Sequence, residues 1–415
     1  MSEWKKVKLG ELCSFINGGA WSDKEYAPEG IPVLKVTNCK NSGFSLSELS
    51  YLPYSLEQKY IQNKLQLNDV IIATVGSHPN LVNSSAGRSV IVNSFVEGFY
   101  LNQNAVCIRT KNESVLNQLF WGYYSKYYLF QHYIQMRGKG AANQMRIAIS
   151  AIKEYPMPLP PLSVQHHIAT ILSRYDSLIE NYQKQIKLLE EAAQRLYKEW
   201  FVNLHFPGHE NTKIVDGVPE GWEKKTINDV CTLISSGSTP SRNKNSYWEN
   251  GTIRWVKTKE LLDRWILDTE EYITQEGYNN SSTKLFPANT ILMAIYASPT
   301  LGRLGILSAE CCCNQAALGL IADEKVISWQ WLFWKLYELR DEFNAIARGA
   351  GQQNISGIVV KNKEIVIPAK RVIDGFTSVV STMFEQQKNL QLQIRLLTEA
   401  RDRLLPKLMG GEIAV

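Results

Sequence analysis

The chain has 415 residues, more than one hydrophobic core usually serves, so two or more domains are expected. Hydrophobic residues make up 44% and charged residues 20%, as in ordinary globular proteins. No apolar run reaches the roughly 18–20 residues that a membrane helix needs, and the N-terminal segment lacks the apolar core of a signal peptide. The seven cysteines form no Cys-x-x-Cys pair, which indicates a reducing compartment, the cytoplasm. A net charge of +5 permits binding to nucleic acid without demanding it.

The first part of the chain, residues 1–160, is predicted to be a β-rich globular domain. Apolar residues alternate over Ile31–Asn38, which predicts a half-buried strand, and Asp69–Thr74 is strand-like as well. Leu116–Met136 is predicted to be helical and carries aromatic residues at three-residue steps, Trp121, Tyr124 and Tyr127. Core packing is the favoured interpretation of these aromatics, and platforms for base stacking are the alternative.

Residues 161–203 are predicted to form a long central helix, and residues 371–415 a second one. Apolar residues recur in each at alternating steps of three and four over about four heptads, a seam of roughly 42 Å. The first seam contains Leu172, Ile179, Ile186, Leu189 and Leu196, and the second contains Val380, Leu390, Ile394, Leu397 and Leu404. Matched seams on one chain predict an intramolecular antiparallel coiled coil. The alternative is that each helix packs on its own domain.

The chain also contains an internal duplication. Gln185–Lys198 matches Gln393–Pro406 with eight of fourteen residues identical at an offset of 208. Trp4–Gly19 aligns with Trp222–Gly237, which extends the repeat into a second β-rich domain at 221–370, after a linker at 204–220. The predicted fold is therefore α+β, with two similar β-rich domains alternating with two paired helices as a pseudo-two-fold repeat.

Charge is distributed unevenly between the two predicted domains. Residues 1–160 carry sixteen Lys and Arg against eleven Asp and Glu, whereas residues 219–369 carry sixteen against seventeen. If both domains bind nucleic acid, the second must do so through a local basic patch and not through bulk charge.

Motifs for catalysis and cofactor binding were not found in the sequence. It contains no Walker-type phosphate loop, no glycine-rich turn for a dinucleotide or S-adenosylmethionine, and no Asn-Pro-Pro-aromatic motif of amino-methyltransferases. His205 and His209 flank Phe206-Pro207-Gly208, which is too irregular for a helical metal-ligand pair. Cys311-Cys312-Cys313 is more typical of core packing than of chelation. The sequence therefore predicts a non-catalytic chain without a metal or cofactor of its own.

Three segments resemble signatures of Type I restriction-modification specificity subunits. They are SSGSTPSRNKNSYWENGTIRWVKTKEL at Ser235–Leu261, PLPPLSVQHHIATIL at Pro158–Leu172 and RDRLLPKLMGGEI at Arg401–Ile413. The resemblance covers nearly the whole chain in the same order. It implies that residues 1–160 and 221–370 are target-recognition domains that read a bipartite, asymmetric site on double-stranded DNA.

The resemblance also implies partners. Two methyltransferase (modification) subunits are expected to dock on the chain and to supply S-adenosylmethionine, and restriction/translocase subunits would bring ATP and Mg. No membrane partner is expected. The alternatives are a stand-alone DNA-binding regulator, a coiled-coil scaffold protein and a self-contained restriction–methylation enzyme, the last of which lacks its methyltransferase motif.

Candidate DNA-binding residues lie in loops that follow or flank the aligned strands. Arg and Lys favour guanine, and Asn and Gln favour adenine. In the first domain the candidates are Lys35, Asn38, Ser77, His78, Arg88, Gln103, Lys139 and Asn143. In the second they are Lys257, Lys259, Tyr296, Ser298, Arg303, Gln315, Arg348, Gln352 and Gln353. For Gly87-Arg88 and Asn102-Gln103 the alternative is that they close turns.

Overall fold

The computed structural model describes residues 4–40, 43–46, 49–77, 85–141, 144–215, 217–296, 300–349, 354–413 and 415. The chain forms two compact units. Unit 1 contains Met1–Ile179 and Leu397–Val415, and unit 2 contains Glu180–Leu396. Within the described ranges, none of the helices combines the length and the apolar character that a membrane crossing requires.

Unit 1 is built mainly from short strands. They are β1 (Lys5–Lys8), β2 (Cys13–Asn17), β3 (Ile31–Leu34), β4 (Cys39–Lys40), β5 (Gly43–Phe44), β6 (Ser50–Leu52), β7 (Val70–Ala73), β8 (Val75–Gly76), β9 (Ser89–Ile91), β10 (Tyr100–Leu101), β11 (Ala105–Thr110), β12 (Lys139–Ala141), β13 (Gln144–Arg146) and β14 (Pro156–Leu159). Its helices are α1 (Leu9–Leu12), α2 (Gln118–Tyr124), α3 (Tyr128–Gln135), α4 (Ile149–Lys153) and the start of α5 (Leu162–Tyr197).

A four-stranded antiparallel sheet, in the order β2-β11-β7-β9, forms the centre of unit 1. Successive residues of β7 point to opposite faces of the sheet. Val70 and Ile72 therefore pack in a core with Trp121 of α2, and Ile71 packs in a second core with Leu101. Burial on both faces explains why β7 is apolar throughout and does not alternate with polar residues.

Unit 2 repeats this plan. Its strands are β15 (Ile214–Val215), β16 (Val218–Pro219), β17 (Glu223–Thr226), β18 (Cys231–Ser236), β19 (Ile253–Val256), β20 (Arg264–Ile266), β21 (Glu271–Ile273), β22 (Ile291–Ala294), β23 (Leu304–Leu307), β24 (Cys312–Cys313), β25 (Ala317–Ala322) and β26 (Glu364–Ile367). Its helices are α6 (Gln275–Asn279), α7 (Trp329–Glu338), α8 (Arg340–Gly349), α9 (Gly357–Lys361) and much of α10 (Lys370–Met409).

The sheets of the two units correspond strand by strand. The order β18-β25-β22-β23 matches β2-β11-β7-β9, and β21-β19-β24 matches β6-β3-β10. The pair β17-β26 likewise matches β1-β14. The units also differ, because β20 extends the large sheet of unit 2 while unit 1 carries the hairpins β4-β5 and β12-β13. The predicted duplication is therefore confirmed in the topology.

The two long helices pair in antiparallel fashion within each unit. In unit 1, Arg401 Nη1 of α10 lies 2.5 Å from Asp176 Oδ1 of α5. In unit 2, the rings of Tyr197 and Phe376 lie 6.1 Å apart. Residues near the end of α10 thus contact residues in the first half of α5, and residues near the start of α10 contact the end of α5, so the helices are antiparallel, as predicted. Every predicted seam residue is buried or half-buried: Leu172, Ile179, Ile186 and Val380 are buried, and Leu189, Leu196, Leu390, Ile394, Leu397 and Leu404 are half-buried.

The aromatic residues of the shorter helices are core residues. Trp121, Tyr124 and Tyr127 are buried in unit 1, and Trp331 and Trp334 are buried in unit 2. Burial leaves no ring face for a nucleic-acid base, so the core-packing interpretation is correct. The predicted helix at Leu116–Met136 is broken into α2 and α3, because Ser125–Tyr127 form a turn between them.

The residues considered for metal binding have other roles. Cys311 and Cys313 pack in one core and Cys312 in another, as alternation along β24 requires, and burial raises the pKa of the Cys312 thiol to about 11. His209 Nδ1 contacts the Phe206 carbonyl at 2.9 Å. Among the described residues no group of three or more His, Cys, Asp or Glu side chains could hold a metal ion. The segment at 204–220 contains the short hairpin β15-β16 and the buried Phe206.

Candidate nucleic-acid interface

Four chain segments of unit 1 meet where β2, β3 and β7 end, and we call this region the loop edge of unit 1. The Gly19 N–H donates to the Leu101 carbonyl at 2.7 Å, and the Asn102 N–H donates to Leu34 at 3.0 Å. The Thr74 N–H donates to Asn104 at 2.9 Å. The hairpin β12-β13 joins the same edge, because β13 pairs with β8. Backbone hydrogen bonds thus fix loops that are distant in sequence beside one another.

Unit 2 has a loop edge with the same backbone bonds. The Ser238 N–H donates to Cys313 at 2.9 Å, and the Asn314 N–H donates to Val256 at 3.0 Å. The Ile295 N–H donates to Ala316 at 2.9 Å. The Ile355 N–H donates to the Ile295 carbonyl at 3.0 Å, as the Ile147 N–H donates to Thr74 at 2.8 Å in unit 1. The two edges are therefore equivalent frameworks that present different side chains.

A glycine at the end of the first sheet strand is required in both frameworks. A Cβ atom on Gly18 would lie 1.9 Å from the Asn102 carbonyl oxygen. On Gly237 it would lie 2.0 Å from the Cys313 carbonyl oxygen. Backbone oxygens cannot move aside as flexible side chains do. Any larger residue would therefore displace the neighbouring Asn-Gln turn, which is Asn102-Gln103 in unit 1 and Asn314-Gln315 in unit 2.

In unit 1 the structure brings most of the described candidates to the loop edge. Lys35 precedes the turn at Val36–Asn38, Gln103 lies exposed in the Asn-Gln turn, and Lys139 lies exposed in β12. Ser77 follows β8 and is half-buried. His78 and Asn143 lie outside the described residues.

Two candidates in unit 1 hold the framework together. Asn38 is buried, accepts a hydrogen bond from the Lys35 N–H at 3.0 Å and donates to the Ser45 carbonyl at 3.0 Å. The Arg88 guanidinium donates to the Cys39 carbonyl at 2.6 Å. These bonds favour the turn-closing role that was the alternative for Arg88, and they give Asn38 the same kind of role.

In unit 2 the candidates lie at equivalent positions. Tyr296 is 40% exposed next to β22, and Gln315 is exposed and accepts a hydrogen bond from Thr239 at 2.5 Å. Arg303 is half-buried immediately before β23, and Arg348 is exposed near the end of α8. Ser298, Gln352 and Gln353 lie outside the described residues. Contact of any of these side chains with DNA stays a prediction.

The two predicted lysines of unit 2 are held by carboxylates. Lys257 Nζ lies 2.6 Å from Glu271 and 2.9 Å from Glu270, and Lys259 Nζ lies 2.6 Å from Glu270. Burial opposes the charged form of Lys257, but its bonds to Glu271 and Glu270 outweigh burial and raise the pKa of its ammonium group. Lys259 and Lys257 together lower the pKa of the Glu270 carboxyl.

Sequence reasoning missed two arginines at these edges. The Arg242 guanidinium lies 3.5 Å from the centre of the Trp248 ring and forms an ion pair with Glu271 at 2.6 Å. Arg137 lies just before the hairpin of unit 1, 3.5 Å from the Tyr133 ring centre. Arg137 could have been found, because the repeat aligns it with the candidate Arg348. The position of Arg242 depends on contacts between distant strands, which the sequence does not display.

Comparison with known proteins identifies the family. The model of the Type I restriction modification DNA specificity domain matches residues 1–191 and again residues 219–393. The two matches correspond to the two halves of the duplication.

Individual relatives agree with this match. The chain is 30% identical over 274 residues to the Type I restriction enzyme MjaIX specificity subunit of Methanocaldococcus jannaschii, an alignment that covers 64% of this chain and 62% of that protein. It is 20% identical to the HindI specificity subunit of Haemophilus influenzae over the full length of both chains. The fold is similar to that of a Type I restriction-modification S subunit from M. genitalium, with a TM-score of 0.57, 17% identity and coverage of 98% and 96%. The chain therefore belongs to the family of Type I restriction-modification DNA specificity subunits.

Proposed function

We propose that each loop edge reads one half of a bipartite, asymmetric site on double-stranded DNA. The observation that carries the proposal is the pair of matched frameworks with different side chains. Backbone bonds hold the Asn-Gln turn, the end of the β7 or β22 strand and the neighbouring loop together in both units. Because side chains at equivalent positions differ, such as Ser50 in unit 1 and Glu271 in unit 2, the two half-sites are expected to differ.

We further propose that the paired helices α5 and α10 serve as the spacer between the two half-sites. The 36 residues of α5 correspond to about 54 Å of helix. Half-sites on one face of B-DNA are separated by whole helical turns of roughly 34 Å, so unspecified base pairs between the two half-sites are expected.

In this proposal, partner subunits carry out DNA methylation and restriction. Two methyltransferase subunits would dock on the chain and supply S-adenosylmethionine, and restriction subunits would supply ATP-driven translocation with Mg. The chain itself acts as the non-catalytic DNA-binding subunit in the cytoplasm. Support comes from the family, whose named relatives are specificity subunits of restriction enzymes.

A selection experiment tests this proposal. The chain is purified in complex with methyltransferase subunits of a Type I system, and DNA bound from a library of random duplexes is sequenced. We expect enrichment of two short, different words separated by a constant number of unspecified base pairs. Enrichment of one contiguous word, or the same enrichment by the methyltransferase alone, would contradict the proposal.

A further inference from the structure

The loop edge of unit 2 contains a charge cluster in which acidic groups match the basic groups. We call it the lysine–glutamate cluster, and it consists of Arg242, Lys257, Lys259, Glu260, Glu270 and Glu271. Four ion pairs of 2.6–2.9 Å join the three basic side chains to Glu270 and Glu271. Three positive and three negative charges leave this part of the surface neutral overall.

The strands and turns beneath the cluster hold its members in place. Strands β19 and β21 pair so that Trp255 lies opposite Glu271. The Glu260 carboxylate accepts the N–H groups of Lys257 at 2.8 Å and Glu270 at 2.9 Å, which ties the turn to the strand. The Arg242 guanidinium stacks on the Trp248 ring, 3.5 Å from its centre. The fold therefore fixes the backbone positions from which the paired side chains extend.

In unit 1 the positions equivalent to Glu270 and Glu271 do not carry carboxylates. The pairing of Val33 with Ser50 in unit 1 matches that of Trp255 with Glu271, so Ser50 stands where unit 2 has Glu271, and Leu49 stands where it has Glu270. Lys35, the counterpart of Lys257, donates to the Ser50 hydroxyl at 2.7 Å. A hydroxyl is uncharged, so this contact does not neutralise the charge of Lys35. The acidic residues are thus a property of one unit and not a requirement of the fold.

Basic groups that are already paired with carboxylates affect how well a DNA-binding surface discriminates its own site from unrelated DNA. Non-specific affinity for DNA comes almost wholly from contacts between Lys or Arg and phosphates, whatever the base sequence. A lysine already paired with a carboxylate must exchange that partner for a phosphate. The exchange reduces the gain from every DNA sequence, so base contacts decide a larger share of binding.

We propose that Glu270 and Glu271 are specificity-determining residues that compete with DNA phosphates for Arg242, Lys257 and Lys259. The inference rests on the proposed DNA-reading function and adds a role for acidic residues within it. In this role the two carboxylates suppress binding of unit 2 to unrelated DNA, while unit 1 supplies the long-range attraction through its net positive charge.

Isosteric substitutions test the proposal. The double variant Glu270→Gln/Glu271→Gln keeps the shape and removes two negative charges from the cluster. The matched control, Glu249→Gln/Glu310→Gln, makes the same charge change at two exposed positions of unit 2 outside the cluster. Each is assembled with methyltransferase subunits, and fluorescence anisotropy measures binding to the selected site and to an unrelated duplex over a range of salt concentrations.

We expect the cluster variant to bind the unrelated duplex about tenfold more tightly than the control does, because several partly exposed ion pairs no longer compete. Its salt dependence should steepen by roughly one to two phosphate contacts. Its preference for the selected site should fall accordingly, and adding Lys257→Met should reverse much of the change. The single variant Glu270→Gln, at a half-exposed side chain, serves if the double variant does not fold.

Equal affinity of the cluster variant and its control for the unrelated duplex would overturn this inference. That outcome is distinct from failure of the proposed function, which would appear as a wild-type complex that does not prefer its selected site. A cluster variant that binds unrelated DNA more weakly than the control would also overturn the inference, because the carboxylates would then assist binding.

Discussion

At the scale of single residues, equivalent positions in the two units carry different chemistry on the same backbone. Lys35 donates to a serine hydroxyl, whereas its counterpart Lys257 is held between two glutamates. Gln103 and Gln315 lie exposed in equivalent Asn-Gln turns, and Gln315 accepts a hydrogen bond from Thr239. Differences of this kind are what two distinct half-sites would require.

The two glutamines provide a residue-scale prediction. Gln103→Ala should relax base preference at one position of one half-site, and Gln315→Ala should do so in the other half-site. Loss of a bidentate contact to adenine costs about 1–3 kcal/mol at that position only. The measurement is the affinity of each assembled variant for a panel of single-base substitutions of the selected site. If both variants altered the same half-site, the assignment of one unit to each half would be wrong.

At the scale of elements, the two units differ in how a short helix, α2 in unit 1 and α7 in unit 2, contacts the long helices. In unit 1, Tyr123 of α2 donates to Asp176 at 2.7 Å, and Arg401 pairs with the same carboxylate. Burial and the nearby Asp176 charge raise the pKa of the Tyr123 hydroxyl. The equivalent residues of unit 2 are Trp334, Phe384 and Ala193, which are buried and apolar. One contact is therefore polar and its counterpart is aromatic.

This polar contact leads to a stability prediction. Arg401→Met preserves helix propensity but leaves the half-buried Asp176 without its cation, so the free energy of unfolding should fall by about 2 kcal/mol. The neighbouring Arg403→Met at an exposed position of α10 is the control and should change it by less than about 0.5 kcal/mol. The midpoint of urea unfolding measures both. Equal shifts in the two variants would show that the Arg401–Asp176 pair contributes no stability.

At the scale of the whole molecule, the repeat and the helices could be predicted from sequence, whereas the neighbours of each loop residue could not. The alternation at Ile31–Asn38 and the heptad seam are local patterns, and the structure contains the corresponding strand and helices. The burial of Asn38 and the ion pairs of Lys257 depend on residues brought from elsewhere in the chain. Local periodicity carries no information about such partners.

The same limit applies to Arg242 and Arg88. Both are loop arginines in sequence, and no local pattern separates them. The fold places Arg242 at the loop edge on Trp248, and it turns the Arg88 guanidinium toward the Cys39 carbonyl. Only the tertiary contacts distinguish an arginine that holds a turn from one at the surface of the candidate interface.

We propose that two different units of one chain read two half-sites at a fixed separation. Single-molecule sequencing of methyladenine tests this directly, in DNA from a methylation-deficient host that expresses the chain with methyltransferase subunits of a Type I system. We predict one bipartite, asymmetric motif with a constant number of unspecified base pairs between its halves. A contiguous motif, a symmetric motif or no new methyladenine despite a stable complex would contradict it.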